Sequence, residues 1–107
     1  MIPETRYATA SDGVHIAYQV VGDGPRDLVW LDGARGNLEV MWEQPLVAEF
    51  FTKLASRCRV VRLDMRGTGL SDRGERPPNL ETQMDDARVV LDVIGSHRTA
   101  VVGHNWG

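Results

Sequence analysis

Three short segments carry residues whose types and spacing could do chemistry. The last of them is Val101-Val102-Gly103-His104-Asn105-Trp106-Gly107, an apolar run leading straight into Gly-x-Asn-x-Gly. That spacing suits a sharp strand-to-helix turn that exposes its middle residue, with glycines where side chains would strike the neighbouring strand and helix. A serine in the middle would attack a carbonyl after passing its proton to a histidine. An aspartate would attack an epoxide or halogen-bearing carbon as a carboxylate. Asn105 does neither, because its carboxamide is neutral and its nitrogen lone pair is delocalised. Asparagine tolerates left-handed backbone geometry, so residue 105 suits the turn without supplying a nucleophile.

The second segment, Asp64-Met65-Arg66-Gly67-Thr68-Gly69-Leu70-Ser71-Asp72, follows the apolar run Val60-Val61-Arg62-Leu63. It reads as a structural glycine-rich loop. It lacks the Gly-Lys-Ser/Thr of a phosphate loop and does not open directly into a helix. The third segment, Asp32-Gly33-Ala34-Arg35-Gly36, follows Leu28-Val29-Trp30-Leu31 and reads on its own as a glycine-rich turn.

The remaining reactive residue types are more simply explained. Cys58, the single cysteine, can form no internal disulfide and reads as a small residue entering a strand. His15 belongs to a hairpin strand's polar face, His97 follows a helix end, and His104 is part of the final turn. Each reads as a surface or packing residue.

The elements that must position these segments follow from periodicity. Tyr7 to Ala10 and Val14 to Val21 are β-prone runs joined at Ser11-Asp12-Gly13, which predicts an antiparallel hairpin. Val14, Ile16, Tyr18 and Val20 alternate with His15, Ala17 and Gln19, the pattern of a half-buried strand. Leu28 to Leu31, Val60 to Leu63 and Ala100 to Val102 are continuously apolar or nearly so, as expected of parallel strands covered on both faces. A first helix is predicted from Pro45 to about Arg57, with Leu46, Phe50 and Leu54 on its apolar face. A second runs from an Asn79 cap to Gly95, with Leu80, Met84, Ala87, Leu91 and Ile94 inward. Glu81, Asp85, Asp86, Arg88 and Asp92 then read as a solvated surface.

Composition agrees with one soluble globular unit: 107 residues, 42% hydrophobic, 25% charged and a net charge of -3. The interspersed charges give no basic patch for nucleic acid, and no apolar stretch approaches the roughly 20 residues that span a bilayer. Met1-Ile2-Pro3-Glu4 lacks the pattern of a signal peptide, so a cytoplasmic location is expected.

The three segments, in this order and each after a predicted strand, resemble the α/β-hydrolase superfamily over nearly the whole chain. Asp64 to Asp72 matches its D-x-R-G-x-G-x-S loop, and residues 103–107 match its nucleophile elbow with asparagine in the middle. More narrowly, Ile16 to Pro25 and Arg66 to Asp72 are similar to hydrolase-type domains of actinobacterial proteins, some of them fused to adenylyl cyclase or regulator domains. His104-Asn105-Trp106 is similar to the His-Asp-Trp of epoxide hydrolases and dehalogenases. The resemblance implies an α/β fold and hydrolysis of esters, epoxides or related small organic substrates without a cofactor or metal. It also implies Asn105 at the nucleophile position and the amides of Ala34 and Trp106 as oxyanion-hole donors, although Asp32 stands where the family commonly has histidine. An alternative is a ligand-sensing or interaction module derived from a hydrolase.

The family's catalytic acid and histidine follow its nucleophile, so residues 1–107 are expected to be a partial hydrolase domain, catalytically incomplete. Ala100 to Val102 would then be an exposed strand edge, which predicts marginal stability or self-association.

Overall fold

The computed structural model describes residues 2–32, 37–76, 79–96 and 98–104. The turn at Ser11-Asp12-Gly13 closes a hairpin of β1 (Arg6–Thr9) and β2 (His15–Val21), paired antiparallel. Two parallel neighbours follow, β3 (Asp27–Asp32) and β4 (Arg59–Leu63), and a third, β5 (Thr99–His104), lies along the far side of β3. β2 pairs antiparallel with β4, giving one sheet in the order β1-β2-β4-β3-β5.

Among the described residues three helices connect these strands. α1 (Leu38–Met41) is a single turn that sequence periodicity is too short to reveal. Asn37 caps it, its side chain accepting hydrogen bonds from the amides of Glu39 and Val40. α2 (Pro45–Ala55) starts on a proline in its first turn, as expected. α3 (Leu80–Ile94) has both predicted ends, with the Asn79 side chain accepting from the Thr82 amide and Gly95 closing the helix in left-handed geometry.

The sheet is covered on both faces. Ile16, Tyr18, Val29, Leu31, Val61 and Leu63 form the main core with Ala87 and Val90 of α3. On the opposite face the register aligns Gln19, Arg62 and Trp30 in a row across three strands. Phe51 of α2 caps this row, with the Arg62 guanidinium 4.3 Å from its ring centroid. Gln19 is fully buried; its carbonyl accepts from Trp42 Nε1 at 2.8 Å, and its amide donates to Pro3 O and Thr5 Oγ1. β2 is therefore not the half-buried strand expected from its alternation, because Ala17 and Gln19 are as buried as Ile16 and Tyr18.

The expected helix faces also require correction. In α2 the buried residue is Phe51, whereas Leu46 is 81% exposed and Phe50 48% exposed. In α3, Ala87 is buried and Met84, Leu91 and Ile94 pack against the core as expected, but Leu80 is exposed and the buried flank also holds Thr82, Gln83, Asp86 and Val90. An apolar ladder defines a stripe, but the sheet decides which flank of the stripe it covers.

One glycine fixes a close approach. Gly22, at φ +88°, ends β2 so near the end of α2 that a Cβ would lie 2.5 Å from Ala55 O and 2.7 Å from Cys58 O. Cys58 itself is half-buried at the entry to β4, its Sγ 3.3 Å from Leu54 O.

Candidate active site at the carboxyl rim of the sheet

The parallel register brings the three chemical segments to one rim. Asp32 pairs with His104, and Leu31 pairs with Leu63, one residue before Asp64. The ends of β3 and β5 are thus adjacent, about 4.8 Å apart, so the segments that follow them start from one rim. Ala34, Asn105 and Trp106, the expected oxyanion donors and nucleophile position, lie outside the described residues, as does His97. What the structure describes is the frame around them.

The loop after β4 is the most heavily bonded part of that frame. Gly67 and Gly69 take positive φ, which folds the loop back toward β2. There Ser71 Oγ accepts from the Ala17 amide at 2.8 Å and donates to Asp64 O at 2.7 Å. The Asp72 amide donates to His15 O. Asp64, 2% exposed, accepts from the Leu70 amide at 2.8 Å and from the Leu38 amide at 3.2 Å, tying this loop to the start of α1.

Arg66 is the centre of a buried ion cluster. Its Nε and Nη2 donate to the two oxygens of Asp86, each at 2.8 Å, and Nη1 donates to Asp12 at 2.7 Å. The Arg66 and Asp86 side chains are 2% and 1% exposed. Asp86, then Asp12, hold the guanidinium firmly charged, and Arg66 in turn holds the Asp12 carboxyl below the usual carboxylate range. The guanidinium is thus committed to two carboxylates within the protein, which agrees with a structural reading of this motif.

Asp86 is the correction that matters most. Its placement on a solvated helix surface fails because it shares the buried flank of α3 with Gln83, Ala87 and Val90. A signal was present in the sequence: an arginine in a loop that packs on an apolar sheet needs a carboxylate partner, and Asp86 lies one position from Ala87.

His15 is exposed, as expected, but it is not alone. Its Nδ1 lies 2.7 Å from Asp72 Oδ2, and the pairing pulls the Asp72 carboxyl below its ordinary range. The sheet order puts His15 three strand spacings from β5, about 14 Å. Among the described residues no group of three or more His, Cys, Asp or Glu could hold a metal ion. No described helix is long and apolar enough to cross a membrane.

Comparison with known proteins agrees with this frame. The family described as alpha/beta hydrolase fold matches residues 28–107. A putative carbamate hydrolase RutD of Caulobacter sp. (strain K31) is 37% identical over 94 residues, covering 84% of this chain and 33% of that protein. Mouse epoxide hydrolase 4 is 28% identical over 97 residues, covering 89% of this chain and 26% of the relative. The crystal structure of an alpha/beta hydrolase from Novosphingobium aromaticivorans superposes with a TM-score of 0.77 at 29% identity, covering all of this chain and 37% of that one. The chain therefore spans about a third of the length of the curated relatives it matches. From the matched residues, the strand order and the rim they build, the chain belongs to the α/β-hydrolase fold family.

Proposed function

We propose that residues 1–107 form the oxyanion and nucleophile-position part of a hydrolase site for small esters, epoxides or carbamates, and that they do not turn over such substrates by themselves. The observation that carries this reading is Asn105, centred in Gly103-His104-Asn105-Trp106-Gly107 directly after β5. Ala34 and Trp106 amides are the oxyanion donors in this reading, and the polarised carbonyl they would bind needs no cofactor. A neutral carboxamide at position 105 cannot open an epoxide or accept an acyl group. His15 is spoken for by Asp72 and lies at the wrong strand to serve as base.

A second reading is favoured by the same residue: a ligand-sensing or interaction module, of the kind fused to a cyclase or regulator, that keeps the pocket and lacks the nucleophile. Turnover of aryl esters, aryl carbamates and styrene oxide by the purified chain, beside Asn105→Ser and Asn105→Asp, separates these readings. No turnover by any of the three is the expected result. Saturable binding of the ester without turnover favours the sensor, and turnover that depends on residue 105 overturns the proposal.

A further inference from the structure

α1 is too short to hold itself together. A helix of four residues closes barely one turn, and nucleating that turn costs more than its own hydrogen bonds return. Burial adds little, because Leu38 is the buried residue of α1 while Val40 is 51% exposed. Its order therefore comes from directed bonds. Asn37 caps its first amides, and the Leu38 amide donates to Asp64, which together hold the start of the helix.

The remaining bonds lead from α1 to residues 3–5. Trp42, at the C-terminal cap of α1, donates from Nε1 to the Gln19 carbonyl at 2.8 Å. The amide of the same Gln19 side chain donates to Pro3 O at 3.1 Å and to Thr5 Oγ1 at 3.0 Å. Thr5 Oγ1 in turn donates to Glu39 Oε2 at 2.7 Å, which returns the circuit to α1. Gln19 is wholly buried in the middle of β2, so the loss of any of its three partners leaves a polar atom unsatisfied away from water. These bonds therefore form and break together.

We propose that residues 3–5 are a strap for α1: strap and helix open as one unit while the sheet beneath them stays closed, and Gln19 is the positioning residue that couples the two. Closing the strap orders few residues, because β1 already begins at Arg6, next to Thr5. Opening it delivers the Gln19 carbonyl and amide to water at the same time, which spares the protein a half-satisfied buried amide. α1 follows directly on residues 33–36, where the reading above places the oxyanion donor Ala34, so the strap sets how firmly that segment is anchored downstream. Only this last consequence rests on that reading; the coupling of strap to helix stands without it.

Amide hydrogen exchange of chain 1–107, followed by NMR, tests the coupling at residues 41 and 42, whose amides close the turn on the carbonyls of Asn37 and Glu39. Thr5→Val lies outside α1 and removes only a hydroxyl; it is expected to speed exchange at both amides about fivefold, the factor for one net hydrogen bond. Trp42→Phe, which removes the Nε1 donor on the other arm of the circuit, is expected to do the same. The two together should do no more than either alone, as for a single opening unit. Glu39→Gln keeps an acceptor for Thr5 and should leave both rates at the wild-type value, and exchange in β2, β4 and α3 should not change in any variant. Wild-type rates at residues 41 and 42 in Thr5→Val overturn the proposal, whether or not Trp42→Phe folds. So do effects that multiply in the double variant, or exchange that quickens throughout the sheet at the same time. These rates do not depend on residue 105, so a failure here is distinct from a failure of the hydrolase reading, which is seen as turnover.

Discussion

The two halves of the sheet are held by different physics. On the β1 side, hairpin, loop and α3 are joined by directed polar bonds: Arg66 to Asp86 and Asp12, Ser71 to Ala17 and Asp64, His15 to Asp72. On the β5 side, the strand relies on its ladder to β3, with Phe50 and Trp30 in contact beside it and open apolar surface beyond. The first arrangement is specific and closed. Among the described residues the second has a strand neighbour on one side only, and the segment with the family's elbow spacing follows directly from it. The segment from Gly103 to Gly107 therefore follows a strand held by its parallel ladder to β3, whereas the loop from Asp64 to Asp72 is held by side-chain bonds.

Breaking the polar side should have the largest effect. Arg66→Ala leaves Asp86 buried without its cation, at a cost of about 3–5 kcal/mol, a large fraction of what a domain this size has. Loss of cooperative thermal melting is the expected outcome, and a melting curve close to wild type would show that the two halves are not held differently.

An intermediate effect is expected at the opposite rim, where Asp27 accepts two hydrogen bonds from Arg59 at 2.7 and 2.9 Å. Arg59 depresses the Asp27 carboxyl below its usual range. Stability from this pair is fully present above the unfolded value of about 3.9 and is lost as the pH falls through the folded one. Melting temperature followed from about pH 5 to about pH 2 should therefore decline, and Asp27→Asn should decline less steeply. Equal slopes would remove the pair from the account of acid sensitivity.

The smallest effect belongs to His15→Ala. Both members of its pair with Asp72 are about half exposed, where solvent screens the attraction and side-chain ordering offsets it. A melting temperature within error of wild type is expected. A large drop would show that the backbone bonds between His15 and Asp72 depend on the imidazole, and would extend the tightly held region out to the surface.

Local signals made much of this legible. Asn79 and Gly95 bracket α3 because a side-chain acceptor and a left-handed residue are needed at those ends whatever the helix packs against. Pro45 marks the start of α2 for a similar reason, and Ser11-Asp12-Gly13 closes a hairpin within a few residues. The candidate site was legible as spacing: Asp64 to Asp72 and residues 103–107, each directly after an apolar strand.

Facing was not legible, because it is a property of pairs of elements. Leu46, Phe50 and Leu54 form a true apolar stripe, yet the sheet buries Phe51 on its flank. Gln19 reads as a polar residue on a solvated face until α1 and Trp42 are placed over it. Asp86 is charged like its neighbours on α3 and differs from them only in lying above Arg66.

The sequence by itself determined the five strands and the two longer helices, with their ends to within a residue or two, since these depend on contacts within a few residues. Only the tertiary structure decided that β3 lies between β4 and β5, that Asp86 and Asp12 neutralise Arg66, and that α2 buries Phe51 rather than Leu46. Those outcomes depend on which surfaces meet across the sheet, and burial and charge pairing are settled only when they do.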